Sequence, residues 1–308
     1  MTLFSYTRRH ALAIAVCAFV TACQSPPDLT AAINATVIDT TVRSRGVSVP
    51  VTFVFPDNHG GQPVPLVLLI HGHGGTRHEA GGFTQVAQRL ADNGIASIRM
   101  DFPGCGESTE SWINNNLTNM LTDVRAAEAF AIARGNIDTD RIGLLGFSMG
   151  GRIALLLADR QSRYPALALW APSATNGGAH LVDYLGGPAS YRKMKEQARN
   201  QGFAPYTTFW GQDQRLGYQW FTDLEKSRPM DAVSRYRGDL FVLWGDLDTV
   251  VKPEIAEAVL SHANAARSRK RYVVFGADHG LGLFDGNDVA VRQTVDETAT
   301  FLTRSLKR

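Results

Sequence analysis

A serine, an acid and a histidine, met in that order along the chain, carry its reactive chemistry. Ser148 stands in Gly146-Phe147-Ser148-Met149-Gly150, behind the apolar run 142–147 and ahead of the helical pattern Arg152-Ile153-Ala154-Leu155. A strand-to-helix turn of this kind pushes the serine hydroxyl out of the backbone. Glycine is needed at Gly146 and Gly150, where a Cβ would meet the returning chain. The helix that starts after Ser148 points free N–H groups and a partial positive charge at the site, where a developing oxyanion would rest. A serine hydroxyl is a weak nucleophile that needs a base, and the base needs an orienting carboxylate. Two later motifs supply candidates: Gly245-Asp246-Leu247-Asp248-Thr249-Val250-Val251 and Gly276-Ala277-Asp278-His279-Gly280.

The elements that must position these residues follow from hydrophobic patterning. Runs at 66–70, 95–100, 142–147, 166–171, 240–244 and 271–275 are short and continuously apolar or β-branched, as strands buried on both faces are. Helical spacing separates them: Phe83, Val86, Ala87, Leu90 and Ala91, then a helix over 117–134 closed by Gly135, then helices over 253–263 and 288–302. Ahead of them, 35–42 and 47–55 read as an antiparallel hairpin turning at Arg45-Gly46. Strands alternating with helices predict an α/β fold with a mostly parallel central sheet flanked by helices. The stretch 172–237 breaks the alternation and is rich in aromatics. It is expected to form an inserted cap over the C-terminal ends of the strands, where open α/β sheets bind ligands.

Taken together, His71-Gly72, Asp101-x-x-Gly104-x-Gly106-x-Ser108, the serine turn, Gly245-x-x-Asp248-x-x-Val251 and Asp278-His279-Gly280 make the sequence resemble an α/β-hydrolase fold protein. It is similar to bacterial carboxylesterases of the cinnamoyl and feruloyl esterase kind and to the catalytic domains of prolyl-oligopeptidase-like enzymes. The resemblance covers roughly 47–302. It implies Ser148 as nucleophile, His279 as general base and Asp248 as the third member, with Asp246 the rival acid and Asp278 a loop residue. It implies an oxyanion hole from the N–H of Met149 and that of His73, with Gly74 as the neighbour that would replace His73. His71 is expected to support the loop through a ring hydrogen bond, and His59, His78, His180 and His262 are expected at the surface. The implied activity is hydrolysis of short-acyl or aromatic carboxylic esters through an acyl-enzyme, with no cofactor. A peptidase on the same scaffold, acyl transfer to an acceptor other than water, and a non-catalytic binding protein that keeps the fold are the alternatives. His71, His73 and His78 cluster in sequence, but nothing at convincing spacing completes a metal site.

Length and charge bound the rest. The 308 residues suit one large domain over 35–308. Formal net charge is +2, and removing 1–22, which hold Arg8 and Arg9, leaves the chain formally neutral, so nucleic acid is not an expected partner. Arg8-Arg9, the apolar stretch 11–20 and Val20-Thr21-Ala22-Cys23 read as a bacterial lipoprotein signal peptide with lipidation at Cys23. Gln24 rather than Asp follows the Cys, which in such lipoproteins implies the outer membrane of a Gram-negative envelope. Residues 23–34 would be the tether, with a monomer as the default state. Lipidation of Cys23 leaves Cys105 without a disulfide partner, and it reads as packing.

Overall fold

The computed structural model describes residues 35–57, 59–159 and 163–308; the expected leader, Cys23 and the tether lie outside them. The described residues open with β1 (Ala35–Ser44) and β2 (Val47–Pro56), then β3 (Val64–Ile70), α1 (Gly82–Asp92), β4 (Ala96–Met100), α2 (Leu117–Arg134), β5 (Ile137–Phe147), α3 (Met149–Ala158) and β6 (Ala166–Trp170). Next come α4 (Ala179–Tyr184), α5 (Pro188–Gln201), β7 (Phe203–Thr207), β8 (Asp213–Gly217), α6 (Tyr218–Lys226) and α7 (Pro229–Arg235). The fold closes with β9 (Asp239–Gly245), α8 (Pro253–His262), β10 (Ser268–Val274) and α9 (Asp288–Leu306).

Eight strands form one sheet in the order β1-β2-β4-β3-β5-β6-β9-β10. The β1–β2 and β2–β4 pairs are antiparallel and every other neighbouring pair is parallel. Strands β3, β4, β6 and β9 are buried at every residue. Helices cover both of their faces, so β3 and β6 are apolar throughout and β9 is so after Asp239, while β4 buries Ser97 and Arg99 among its apolar residues. Helices α1 and α9 pack on each other on one side; α2 and α3 pack together on the other, with α7 bridging α3 and α8. Each Val, Leu or Ile sealed between these layers contributes about 1.5–3 kcal/mol of burial.

The structure refines the sequence reading: β1 runs on to Ser44, β3 starts at Val64 and α9 extends to Leu306. Strand β5 starts at Ile137 rather than Ile142, because Ile137 pairs with Val64 across a bulge before the buried run begins. Strand β10 starts at Ser268 and stops at Val274, leaving Phe275 exposed beyond the sheet edge. The insertion between β6 and β9 holds α4–α7 and the separate two-stranded sheet β7–β8. Its last helix, α7, packs on the body rather than over the strand ends. No helix among the described residues is long and apolar enough to cross a membrane.

The hairpin β1–β2 is locked to the body by its turn. Arg45, at φ 51°, donates to Asp123 of α2 and to Glu110, and the Asp123 side chain is fully buried.

Candidate active site

The parallel strands all point the same way, so the loops after β3, β4, β5, β6, β9 and β10 gather at one edge. Ser148 sits between the end of β5 and the first residue of α3 at φ 52°, ψ −114°. That is a strained conformation for a residue with a Cβ. Its N–H donates to the Trp170 carbonyl at 2.9 Å, and its own carbonyl accepts from Gly151 and Ser173 at 3.0 and 2.9 Å. These bonds to β6 and α3 hold the strained turn. A Cβ on Gly150 would overlap the Ile70 carbonyl oxygen, and one on Gly146 would overlap the Gly150 carbonyl. Both glycines are therefore required by the close passage of β5, α3 and β3.

From Ser148 a continuous line of hydrogen bonds runs inward. Ser148 Oγ lies 3.0 Å from His279 Nε2, and His279 Nδ1 lies 2.7 Å from Asp248 Oδ2. The other Asp248 oxygen accepts from the N–H groups of Val250 and Val251 at 2.9 and 2.8 Å, which fixes the orientation of the carboxylate. The side chain of Asp248 is fully buried and that of His279 partly so. Asp246 instead accepts from Gly276 N–H at 2.6 Å and braces the loop after β9 against that after β10. Asp278 accepts from Gly280 N–H at 2.7 Å, a bond local to its own turn.

The loop after β3 is built on two buried titratable groups. His71 Nε2 accepts from Phe102 N–H at 3.1 Å, so its Nδ1 carries the proton and donates to the Gly72 carbonyl at 2.7 Å. Burial lowers its pKa to about 4, which keeps the ring neutral. Gly72 N–H donates to Glu79 Oε2 at 2.8 Å. Glu79 opens a short 3₁₀ turn at φ 44°, and burial raises its carboxyl to about 7 against one favourable bond from Gly72. The Asp101 carboxylate ties the same loop from the other side. It accepts from the N–H groups of Arg77 and Glu107 and pairs with the Arg77 guanidinium.

His73 and Met149 both border the cavity beside Ser148, and among the described residues no acceptor pairs with either backbone N–H. The His73 ring leaves the loop for the insertion, with Nε2 2.7 Å from Gln214 Oε1. Gln214 Nε2 donates in turn to Gln212 Oε1 at 3.0 Å. That fixes the amide, so His73 Nε2 bears the proton. Of the three histidines clustered in sequence, His71 turns to Phe102, His73 to Gln214, and His78 is exposed, so they share no centre.

The cavity above Ser148 measures about 400 Å³ and is walled largely by apolar groups, among them Phe147, Leu181, Tyr184, Phe209, Trp210, Trp220, Val250 and Phe284. The insertion contributes five of these eight: Leu181, Tyr184, Phe209, Trp210 and Trp220. His180, expected at the surface, is instead part of this wall. It is the second residue of α4 and hydrogen-bonds Ser173 and Thr175. Its placement depends on how the insertion folds back, which residue type and local pattern do not encode. Glu79 was also beyond the sequence reading; a glutamate among Gly75, Gly81 and Gly82 has the pattern of a solvent-exposed turn. Cys105 is buried, and burial raises its thiol well above the ordinary range, which makes it inert packing.

Comparison with known proteins places this geometry in context. Residues 67–293 match the model of the family described as "Alpha/beta hydrolase family". The chain is 29% identical over 147 residues to 2,6-dihydropseudooxynicotine hydrolase of Paenarthrobacter nicotinovorans, a match covering 45% of this chain and 34% of that protein. It thus spans about a third of that curated relative. Among solved structures, Est1E from Butyrivibrio proteoclasticus with bound ferulic acid superposes with a TM-score of 0.66 at 21% identity, covering 87% of this chain and 100% of that one. The esterase domain of a Rhodothermus marinus protein superposes with a TM-score of 0.64 at 21% identity, covering 88% and 99%.

Proposed function

The chain belongs to the alpha/beta hydrolase family, and from that premise we propose that it is a serine esterase that cleaves short-acyl or aromatic carboxylic esters. One observation carries the reading: the unbroken line Ser148–His279–Asp248, with bonds of 3.0 and 2.7 Å, at a strained turn that exposes the serine. In this reading Ser148 Oγ attacks the ester carbonyl while His279 Nε2 takes its proton. Asp248 holds the ring so that Nε2 faces the serine, and it stabilises the imidazolium that forms. The tetrahedral oxyanion rests on the N–H groups of Met149 and His73, which have no acceptor among the described residues. Each such donor is typically worth roughly 100- to 1,000-fold in rate. His279 then gives its proton to the leaving alcohol, and water repeats the cycle to release the acid. The largely apolar wall of the cavity favours an uncharged acyl or aromatic group.

The test is hydrolysis of p-nitrophenyl esters from acetate to long acyl, alongside methyl ferulate and a proline anilide, with Ser148→Ala as control. Turnover of short or aromatic esters that vanishes in Ser148→Ala is the expected result. Cleavage of the anilide alone would replace the esterase by a peptidase. A lipid anchor at Cys23 and a place on the outer membrane are part of the same proposal, supported by Val20-Thr21-Ala22-Cys23 and Gln24. Cys23→Ser should abolish incorporation of labelled palmitate and release the protein from the membrane fraction; retention there would refute the anchor.

A further inference from the structure

The cavity holds a second histidine that the triad does not use. His180 Nε2 lies 2.7 Å from Ser173 Oγ, and Nδ1 lies 2.6 Å from Thr175 Oγ1. Ser173 follows the end of β6, and its N–H donates to the Ser148 carbonyl at 2.9 Å. Its hydroxyl therefore springs from backbone directly beside the nucleophile, and both Ser173 and His180 line the cavity. Burial, with the neighbouring Arg152 adding to it, lowers His180 to about 3. The ring is neutral at ordinary pH, with one N–H and one lone pair. It can donate to only one of its two hydroxyl partners and must accept from the other. In either tautomer Ser173 uses one hydrogen bond on His180 and keeps further capacity for a ligand.

We propose that Ser173, oriented by His180, is a hydroxyl-binding subsite that selects esters carrying a free hydroxyl within two or three bonds of the scissile linkage. The inference rests on the esterase reading and narrows its substrate class. The distance limit follows from the backbone contact between Ser173 and Ser148. A group bound at Ser173 must belong to the part of the substrate next to the reacting carbonyl, on its acyl or its alcohol side. The chemistry follows from the neutral pair. A serine hydroxyl held by an uncharged imidazole matches a partner that also donates and accepts, whereas a carboxylate would call for a cation in contact. Arg152, behind the subsite, is fully buried, hydrogen-bonds Ser227 Oγ at 2.6 Å and the Thr175 carbonyl at 2.8 Å through its two terminal nitrogens, and is not among the residues that line the cavity. In a cavity otherwise walled largely by apolar groups, a polar anchor beside the nucleophile discriminates by about one neutral hydrogen bond, because a substrate that cannot use it leaves the remaining capacity of the Ser173 hydroxyl desolvated and unfilled.

The experiment compares kcat/KM for ethyl butyrate, ethyl 3-hydroxybutyrate, 2-hydroxyethyl butyrate and monoethyl succinate in a pH-stat. Wild type, Ser173→Ala and His180→Gln are measured. The readout is the ratio of hydroxylated to plain ester within each protein, so a smaller folded fraction in a variant cancels. In wild type one of the two hydroxylated esters should be favoured about tenfold, the worth of one neutral hydrogen bond, and which one it is identifies the acyl or the alcohol side. The ratio should fall to near one in Ser173→Ala and below about threefold in His180→Gln. A ratio near one in wild type, or a tenfold ratio that survives in both variants, overturns the subsite. Preference for monoethyl succinate over the other three overturns it in favour of an anion site backed by Arg152. If wild type turns over none of these esters and takes no fluorophosphonate label, the esterase reading fails and the subsite with it. Turnover and labelling with a flat ratio sink the subsite alone.

Discussion

Replacing Glu79 by Gln should make the protein more stable at pH 8 and leave it unchanged at pH 4. The carboxyl is fully buried, its one hydrogen bond comes from Gly72 N–H at 2.8 Å, and its pKa stands at about 7 against an ordinary 4.5. Between those two values the folded protein holds a proton that the unfolded chain has released. Stability must therefore fall as pH rises from 4.5 to 7, and no further above it. At about 1.4 kcal/mol per pH unit the full loss is ~3 kcal/mol. The glutamine side chain would keep an amide oxygen to accept from Gly72 and has no proton to lose, so the variant escapes this loss. The quantity to measure is the difference in melting temperature between Glu79→Gln and wild type across pH 4 to 8.5. Buried His71 and His73, each held near 4, titrate alike in both proteins and cancel in that difference. At roughly 2 °C per kcal/mol for a domain of this size, the difference should grow from near zero to about 6 °C and level off above pH 7.5. A difference that does not change with pH would refute the reasoning, for it would mean that Glu79 ionises in the fold as it does in water.

Three other substitutions test the framework around the serine. Asp248→Asn should cut kcat on p-nitrophenyl butyrate by roughly 10⁴-fold, because an amide no longer holds the His279 tautomer; Asp246→Asn, which touches only the Gly276 N–H, should stay within about threefold. Gly150→Ala should give no folded protein by circular dichroism, since its Cβ falls on the Ile70 carbonyl oxygen. Arg45→Met strands the buried Asp123 carboxylate without its partner and should cost about 3 kcal/mol in urea unfolding.

What the sequence reveals of this molecule, and what it conceals, divides along the sheet. Strands β3, β6 and β9 are legible because burial on both faces leaves little but apolar residues in them. The end of α2 is legible because Gly135 stops it. The order Ser148, Asp248, His279 is legible because each residue follows a strand that can be read. The insertion is not. Its strands β7 and β8 are short and two-stranded, with exposed Pro205, Asp213 and Arg215 that carry no alternation strong enough to detect. The start of β5 is hidden for the same reason: Asp138 to Arg141 are polar residues outside the buried run.

His180 and His279 make the physical cause of that divide plain. Both are histidines bordering one cavity, and both hydrogen-bond a serine, at 2.7 and 3.0 Å. What separates them is the partner on the other ring nitrogen. For His279 it is the Asp248 carboxylate, which stabilises the ring when it gains a proton. For His180 it is the Thr175 hydroxyl, with the buried Arg152 cation close by, and these leave a proton on the ring uncompensated. In the proposed reaction the first arrangement makes the base that takes the serine's proton, and in the proposed subsite the second makes a fixed, neutral anchor. The carboxylate reaches His279 along a strand order that patterning reveals. The hydroxyl reaches His180 only after the insertion has folded back over the sheet, so the chemistry of the second histidine is set by tertiary structure alone.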